Sequence, residues 1–158
     1  MTITPQKISV SITTAKCADM LNDTVWANEF TWKQLEILSH YFEPFSIKTG
    51  GILFDEGDPG GTLNIITKGK IEIQKNNKRL TTLSAGRSFG EMSLLDNGPR
   101  SAKAIALEHS EFISMNRNSF DNLSKDYSSL ALIFVLKITQ LLSQRLRQTS
   151  SQLSEFID

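Results

Sequence analysis

One cysteine, Cys17, occurs in 158 residues, so the chain can form no internal disulfide and no cysteine-based metal site. A single thiol suits a reducing compartment. Neither sign of charge is in surplus, with 17 Lys and Arg against 17 Asp and Glu. A general nucleic-acid or membrane-surface binder would need a basic excess. No basic segment followed by an apolar run opens the chain, so no secretory signal is read there. The longest apolar run, Leu130–Leu136, is far too short to span a bilayer. A cytoplasmic location is therefore expected. The patterns Gly-x-Ser-x-Gly, His-Glu-x-x-His and Gly-Lys-Ser/Thr are all missing, so no enzyme activity and no metal are expected.

Glycine and proline are absent from everything after Pro99, and all nine glycines lie between Gly50 and Gly98. The middle of the chain is thus turn-rich, and both ends are free to be helical. The length fits one domain with a real core plus some flanking helix. In the first segment, Lys7–Ile12 alternates weakly and is compatible with an edge strand or a tail; it is read as a loosely attached arm. Ala15–Asn22 carries a short helical pattern. Thr31 is a candidate N-cap for a helix reaching Phe42, with Leu35, Leu38 and Phe42 on one face and Pro44 as its stop. His40 is read as an ordinary helix-face residue.

From Phe45 the period changes to two. Strands are expected at 45–48, 52–55, 62–67, 71–74 and 80–83, then from Ala102 and from Glu111. Turns at Thr49–Gly51, Lys68–Gly69 and Lys75–Lys78 separate them. His109 falls in a solvated turn. The loop Gly57–Gly61 is glycine-rich, but no Gly-Lys-Ser/Thr follows, so it is read as a turn. Many short strands at this spacing indicate a sandwich or barrel. Asn118 is a candidate cap for a helix at 119–125. A final helix is expected from Ser128 to Phe156, with Val135, Ile138, Leu142, Leu146, Thr149, Leu153 and Phe156 stepping by three or four. Its first half is apolar nearly all round and would pack on the sheet. From Leu146 onward it would outrun a small domain, so a partner helix is expected there.

Gly86–Ala102 is the segment that carries chemistry. Gly90 permits a close backbone approach. Glu91–Leu95 reads as a short helix, and Asp96–Pro99 as a stop and turn. The free N–H groups at such a helix start favour an anion. Arg100, just past the turn, can fold back toward that anion, and its planar fork matches two phosphate oxygens. A carboxylate beside a phosphate repels it, so Glu91 would accept from neighbouring hydroxyls. Phosphate and hydroxyls in one pocket suggest a ribose phosphate. The plain alternative is a surface turn with a solvated Glu and Arg.

Phe89-Gly90-Glu91-Met92-Ser93-Leu94-Leu95 followed by Pro99-Arg100-Ser101-Ala102 resembles the phosphate-binding cassette of the cyclic nucleotide-binding domain. That domain occurs in the bacterial catabolite activator, in regulatory subunits of cAMP-dependent kinase and in gated channels. The nine-residue step from Glu91 to Arg100 is similar to the kinase form, and Arg100-Ser101-Ala102 to the activator form. The resemblance implies that Gly90, Glu91 and Arg100 clamp the cyclic phosphate and the ribose 2′-hydroxyl, with Phe89, Met92, Ser93, Ser101 and Ala102 completing the cassette. Further on, Arg145-Leu-Arg-Gln-Thr149-Ser150 is similar to the activator's dimer helix. There a Thr and a Ser from two subunits meet the purine amino group, which hydroxyls suit as acceptors. By that resemblance Thr149 and Ser150 cap the base and Arg145 lines the pocket; the plain alternative for the two hydroxyls is a solvated helix face.

The resemblance spans about Thr31–Phe156. It implies an α+β, mainly β fold: an antiparallel, jelly-roll-like β-roll with N-terminal helices and a long C-terminal helix. The expected division is an arm and short helix over 1–30 and one domain over 31–158, with a helix at 31–43, the roll at 45–116 and helices at 118–157. Three departures stand out. Arg87 occupies a position where an acid is frequent, Ser93 is larger than the usual Ala or Gly, and the sequence stops at Asp158, where the activator continues into a DNA-reading domain. The expected function is a stand-alone regulatory receptor for cAMP, with cGMP as the alternative ligand and no other cofactor. It would act as a homodimer through the last helix and signal to a protein partner, without direct DNA or membrane binding. The competing expectation is an interaction module that kept the roll and lost the ligand.

Overall fold

The computed structural model describes residues 5–7 and 14–157. Among the described residues, nine strands form two sheets. β1 (Gln6–Lys7), β2 (Glu43–Ile47), β4 (Thr62–Lys68), β7 (Ser88–Phe89) and β9 (Ser110–Asn116) make one, in the order β1-β2-β9-β4-β7. β3 (Ile52–Phe54), β5 (Lys70–Lys75), β6 (Lys78–Ser84) and β8 (Lys103–Ala106) make the other, in the order β3-β8-β5-β6. All pairings are antiparallel. The helices are α1 (Thr14–Asn22), α2 (Trp32–Ser39), α3 (Glu91–Asp96), α4 (Arg117–Asp126) and α5 (Ser128–Ser154), with a 3-10 turn at Val25–Glu29. This is the mainly β roll with flanking helices that the sequence implied.

Two cores share the five-stranded sheet. Ile47, Ile66, Ile71, Phe89, Ala104, Ala106 and Phe112 fill the space between the sheets. Leu63, Ile65, Ile113 and Met115 face the other way and pack under the helices. Because side chains alternate along a strand, β4 serves both cores, and Leu63–Ile66 is buried throughout. Core packing also runs across residue 31: Cys17, Leu21, Trp26 and Phe30 belong to the same cluster as Leu35, Leu38 and Phe134. Of the expected N-terminal arm, Gln6–Lys7 pairs with β2 as an edge strand, and residues 8–13 lie outside the described residues.

Several boundaries shift for local reasons. Thr31 caps α2 through a complete capping box with Gln34, but the helix ends at Ser39 rather than Phe42. β2 begins at Glu43, and the residue before Pro44 is held extended, so the chain must leave the helix earlier. The cap of α4 is Asn116, whose Oδ1 accepts from Ser119 N at 2.8 Å, and not Asn118. Both are good caps; β9 runs to Asn116, and the chain turns at once. At the β5–β6 hairpin, Asn76 and Asn77 both take positive φ, 51° and 59°, as a two-residue turn of the hairpin twist requires.

By length and composition α5 is long and apolar enough to cross a membrane, a property that the short run Leu130–Leu136 did not reveal. Its first half, however, buries Leu130, Ala131, Phe134 and Ile138 in the helical core, and Leu142 packs against the same cluster. Leu142 is half-buried and packs against the chain's own core. Phe134 is fully buried, its ring centroid 5.4 Å from that of Trp26, 6.2 Å from Phe42 and 6.3 Å from Phe120. Phe134→Ala removes this joint between α5 and the N-terminal elements. It should destabilise the fold by about 3–5 kcal/mol, read as a drop in the urea midpoint. A loss below about 1 kcal/mol would mean that α5 is not anchored there.

Candidate ligand-binding site

The cassette begins where β7 pairs with β4, with Phe89 opposite Asn64. This brings Gly90 against the start of β4. Gly90 has φ 81° and caps α3 without a side-chain bond. A Cβ there would lie 2.6 Å from both Thr62 O and Arg100 Nη1, so glycine is required by conformation and by space alike. After α3, Asn97 takes φ 55° and closes the turn on Ser93 O, and Gly98 N donates to Asp96 Oδ1 at 2.8 Å. Arg117, on α4, donates to Leu94 O at 3.1 Å and so satisfies an end carbonyl of α3.

The returning chain is received by the loop between β3 and β4. Arg100 N donates to Asp58 O, and Gly57 N donates to Arg100 O, each at 2.8 Å. The side chain of Arg100 is buried. Its Nη1 donates to Ser93 Oγ at 2.7 Å, to Thr62 O at 3.0 Å and more weakly to Gly90 O at 3.4 Å, while Nη2 donates to Thr62 Oγ1. The guanidinium carbon sits 4.0 Å from the ring centroid of Phe54, a cation–π contact. Nε is buried and has no hydrogen-bond partner among the described residues. Burial pulls this guanidinium down to about 10, with Asp58 opposing the shift. At neutral pH it remains a cation.

Glu91, in the first turn of α3, is only 2% exposed. Its Oε1 is ion-paired with Nη1 of Arg145, which reaches across from α5. Arg145 Nη2 also donates to the carbonyl of Ser88. Glu91 Oε2 is buried without a hydrogen-bond partner among the described residues. The cluster therefore holds a buried cation and a buried anion: Arg100 Nε and Glu91 Oε2 have no partner among the described residues, and Glu91 Oε1 has the ion pair with Arg145 but no hydrogen bond. Such atoms cost free energy unless something hydrogen-bonds to them. The unused donor suits an anionic oxygen, and the unused carboxylate oxygen suits a hydroxyl.

The structure gathers Gly90, Glu91, Ser93, Arg100 and Arg145 into this cluster. The other candidates stand differently. The ring of Phe89 is buried between the sheets against Phe54 and Phe112, 5.9 and 6.4 Å away by centroid, so its side chain anchors the cassette to the core. Met92 and Ser101 are exposed, and Ser101 O accepts from Lys75 Nζ at 2.7 Å. Ala102 is half-buried. Thr149 and Ser150 are exposed on α5, one turn beyond Arg145, and Thr149 Oγ1 donates back to Arg145 O at 2.9 Å. A cavity of about 320 Å³ opens beside Arg100, with Phe45, Leu53, Phe54, Thr62 and Asn64 in its lining. Arg100 is the one cassette residue that lines it.

Thr62 and Phe54 were not candidates on sequence. Thr62 follows a glycine-rich loop read only as a turn, and Phe54 lies in an apolar strand. Neither carries a local signal, because their role comes from Arg100 arriving from 38 residues away in the case of Thr62.

The chain is similar to several regulators. It is 29% identical over 125 residues to the CRP-like cAMP-activated global transcriptional regulator of Mycobacterium tuberculosis, covering 76% of this chain and 54% of that protein. It is 30% identical over 126 residues to the cyclic AMP receptor protein of Thermus thermophilus, covering 77% and 56%. The chain thus spans about half the length of these curated relatives. Among solved structures, a cyclic nucleotide-binding domain from Methylobacillus flagellatus superposes with a TM-score of 0.77 at 25% identity, covering 88% of this chain and 81% of that one. The sequence model of the cyclic nucleotide-binding domain matches residues 44–127, from β2 to the end of α4, and the protein belongs to that family.

Proposed function

We propose that this protein is a regulatory receptor for a cyclic purine nucleotide, cAMP, that works as a homodimer and passes its signal to a protein partner. The observation that carries the reading is the buried pair of unsatisfied atoms, Arg100 Nε and Glu91 Oε2, within one cassette. A module that had lost its ligand would gain nothing from burying both charges. In this reading the cyclic phosphate accepts from Nε and the second hydrogen of Nη2 of Arg100, with the first N–H groups of α3 beside it. The ribose 2′-hydroxyl donates to Glu91. Met92, Ser101 and Ala102 border the phosphate through backbone and small side chains. Arg145 ties α5 to the same cluster, so the ligand and the last helix are coupled through Glu91. Relatives named for cAMP support the choice of ligand.

The second half of α5 supports the dimer. Leu146 and Leu153 are exposed at 68% and 59% on one side of α5, and Phe156, in the turn just past the helix end at Ser154 rather than on the helix as expected, is exposed at 85%, with no cover from the chain among the described residues. A second α5 would bury them, and Thr149 and Ser150 on that stretch would cap the purine of the neighbouring site. A ligand that touches both chains must favour the dimer by the same factor by which the dimer favours the ligand. No catalytic step is proposed, and a cytoplasmic location follows from the function.

Three outcomes are expected. Calorimetric titration with cAMP should show Arg100→Ala losing about 2–5 kcal/mol, because the phosphate is left without its counter-charge. Affinity within a factor of a few of wild type would remove the phosphate from Arg100. Wild type should bind cAMP more tightly than its 2′-deoxy analogue by about 1.5–3 kcal/mol, and Glu91→Gln should erase most of that gap; an unchanged gap would place the ribose elsewhere. Leu146→Glu should sediment as a monomer, keep phosphate and ribose binding, and lose preference between cAMP and cGMP. A wild type that is monomeric with and without cAMP would end the dimer-capping account and leave the cassette reading intact.

A further inference from the structure

The loop between β3 and β4 grips Arg100 more fully than a turn needs to. It bonds the backbone of Arg100 at both N–H and C=O. Thr62, at its end, takes the side chain through both a carbonyl and a hydroxyl. Ser93 completes the grip. Its Oγ accepts from Arg100 Nη1 at 2.7 Å and from Gly61 N at 3.0 Å, and donates to Gly90 O at 3.1 Å. One hydroxyl thereby joins the loop, the start of α3 and the guanidinium. The fit is tight: a Cβ on Gly60 would lie 2.3 Å from Ser93 Cβ, so the loop can approach only as glycine.

These bonds are distributed unevenly over the guanidinium. Nη1 has three acceptors and Nη2 has one, Thr62 Oγ1. Nε has none. The two unused hydrogens are therefore on Nε and Nη2, neighbours along one edge of the planar group. That edge is a two-pronged fork of the spacing that phosphate oxygens accept. Phe54 covers one face of the plane at 4.0 Å, which stops it tilting.

We infer that Ser93 and Thr62 are positioning residues for the ligand phosphate: they hold the far edge of Arg100 so that the Nε–Nη2 fork is aimed before the nucleotide arrives. The inference rests on the proposed cyclic nucleotide reading. Ser93 does not compete with the phosphate, since it engages Nη1 and not the fork. Fixing a donor in its bound orientation removes an ordering cost from binding. It also makes the fork selective between the two exocyclic oxygens of a cyclic phosphate, which lie in different directions from the ribose.

The Sp and Rp phosphorothioates of cAMP test this, because each replaces one exocyclic oxygen by sulfur, a poorer acceptor. Wild type, Ser93→Ala, Thr62→Val and Thr62→Ser should be titrated with cAMP and both epimers, with thermal melts in parallel. Wild type should separate the epimers. Ser93→Ala and Thr62→Val should each weaken cAMP by about 3- to 10-fold, the equivalent of one hydrogen bond, and bring the epimer ratio toward one. Thr62→Ser keeps the hydroxyl and should restore both. A merely structural role would lower the melting temperature and leave the epimer ratio unchanged, and that result would overturn the inference. So would tighter cAMP binding by Ser93→Ala, which would make Ser93 a competitor. Failure of wild type to bind cAMP or cGMP at all would overturn the underlying ligand reading, and is distinguishable from both.

Discussion

The burial of the Arg100 guanidinium constrains everything around it. A cation taken out of water must be compensated by acceptors, by an aromatic face or by an anion. Here the protein supplies Thr62, Ser93 and the ring of Phe54, and leaves one edge unsatisfied. That requirement explains why a glycine must sit at position 90, where the cassette backbone passes Arg100 Nη1 and Thr62 O. It explains why the loop from Gly57 to Gly61 closes onto the cassette rather than standing in solvent. The roll is the frame that brings three segments of sequence, 54–62, 88–93 and 100, within hydrogen-bond range of one another.

The second buried charge, Glu91, links this frame to the helical layer. Its partner Arg145 lies on α5, beyond the point where that helix leaves the core at Ile138 and Leu142. The same helix is thus a core element in its first half, a latch on the cassette at Arg145, and an exposed apolar surface from Leu146 onward. Arg145 thus joins α5 to the cassette through Glu91 and the carbonyl of Ser88.

Much of the architecture was legible because local rules and global fold agree. Alternation marked the strands, the candidate cap Thr31 marked the start of α2, and the segment Lys75–Lys78 marked a hairpin turn. Errors arose where two local signals of similar strength competed. Asn116 and Asn118 are equally good caps, and only the length of β9 chooses between them. The end of α2 depended on where β2 had to start. The 3-10 turn at Val25–Glu29 carries no periodic signal, yet it delivers Trp26 to the core beside Phe134.

For the site, the sequence by itself determined the chemistry: a glycine, an acid and an arginine in fixed order, with a turn between the acid and the arginine to bring them together. That order is local, so a one-dimensional reading reaches it. Only the tertiary structure decided which charges are buried, which atoms they leave unsatisfied and what holds them. Thr62 and Phe54 acquire their roles because β4 and β3 pass beside Arg100, and Arg145 meets Glu91 because α5 folds back over the cassette. Hydrogen bonding and desolvation act over a few ångströms in space regardless of separation along the chain, so no spacing in the sequence could have announced these contacts.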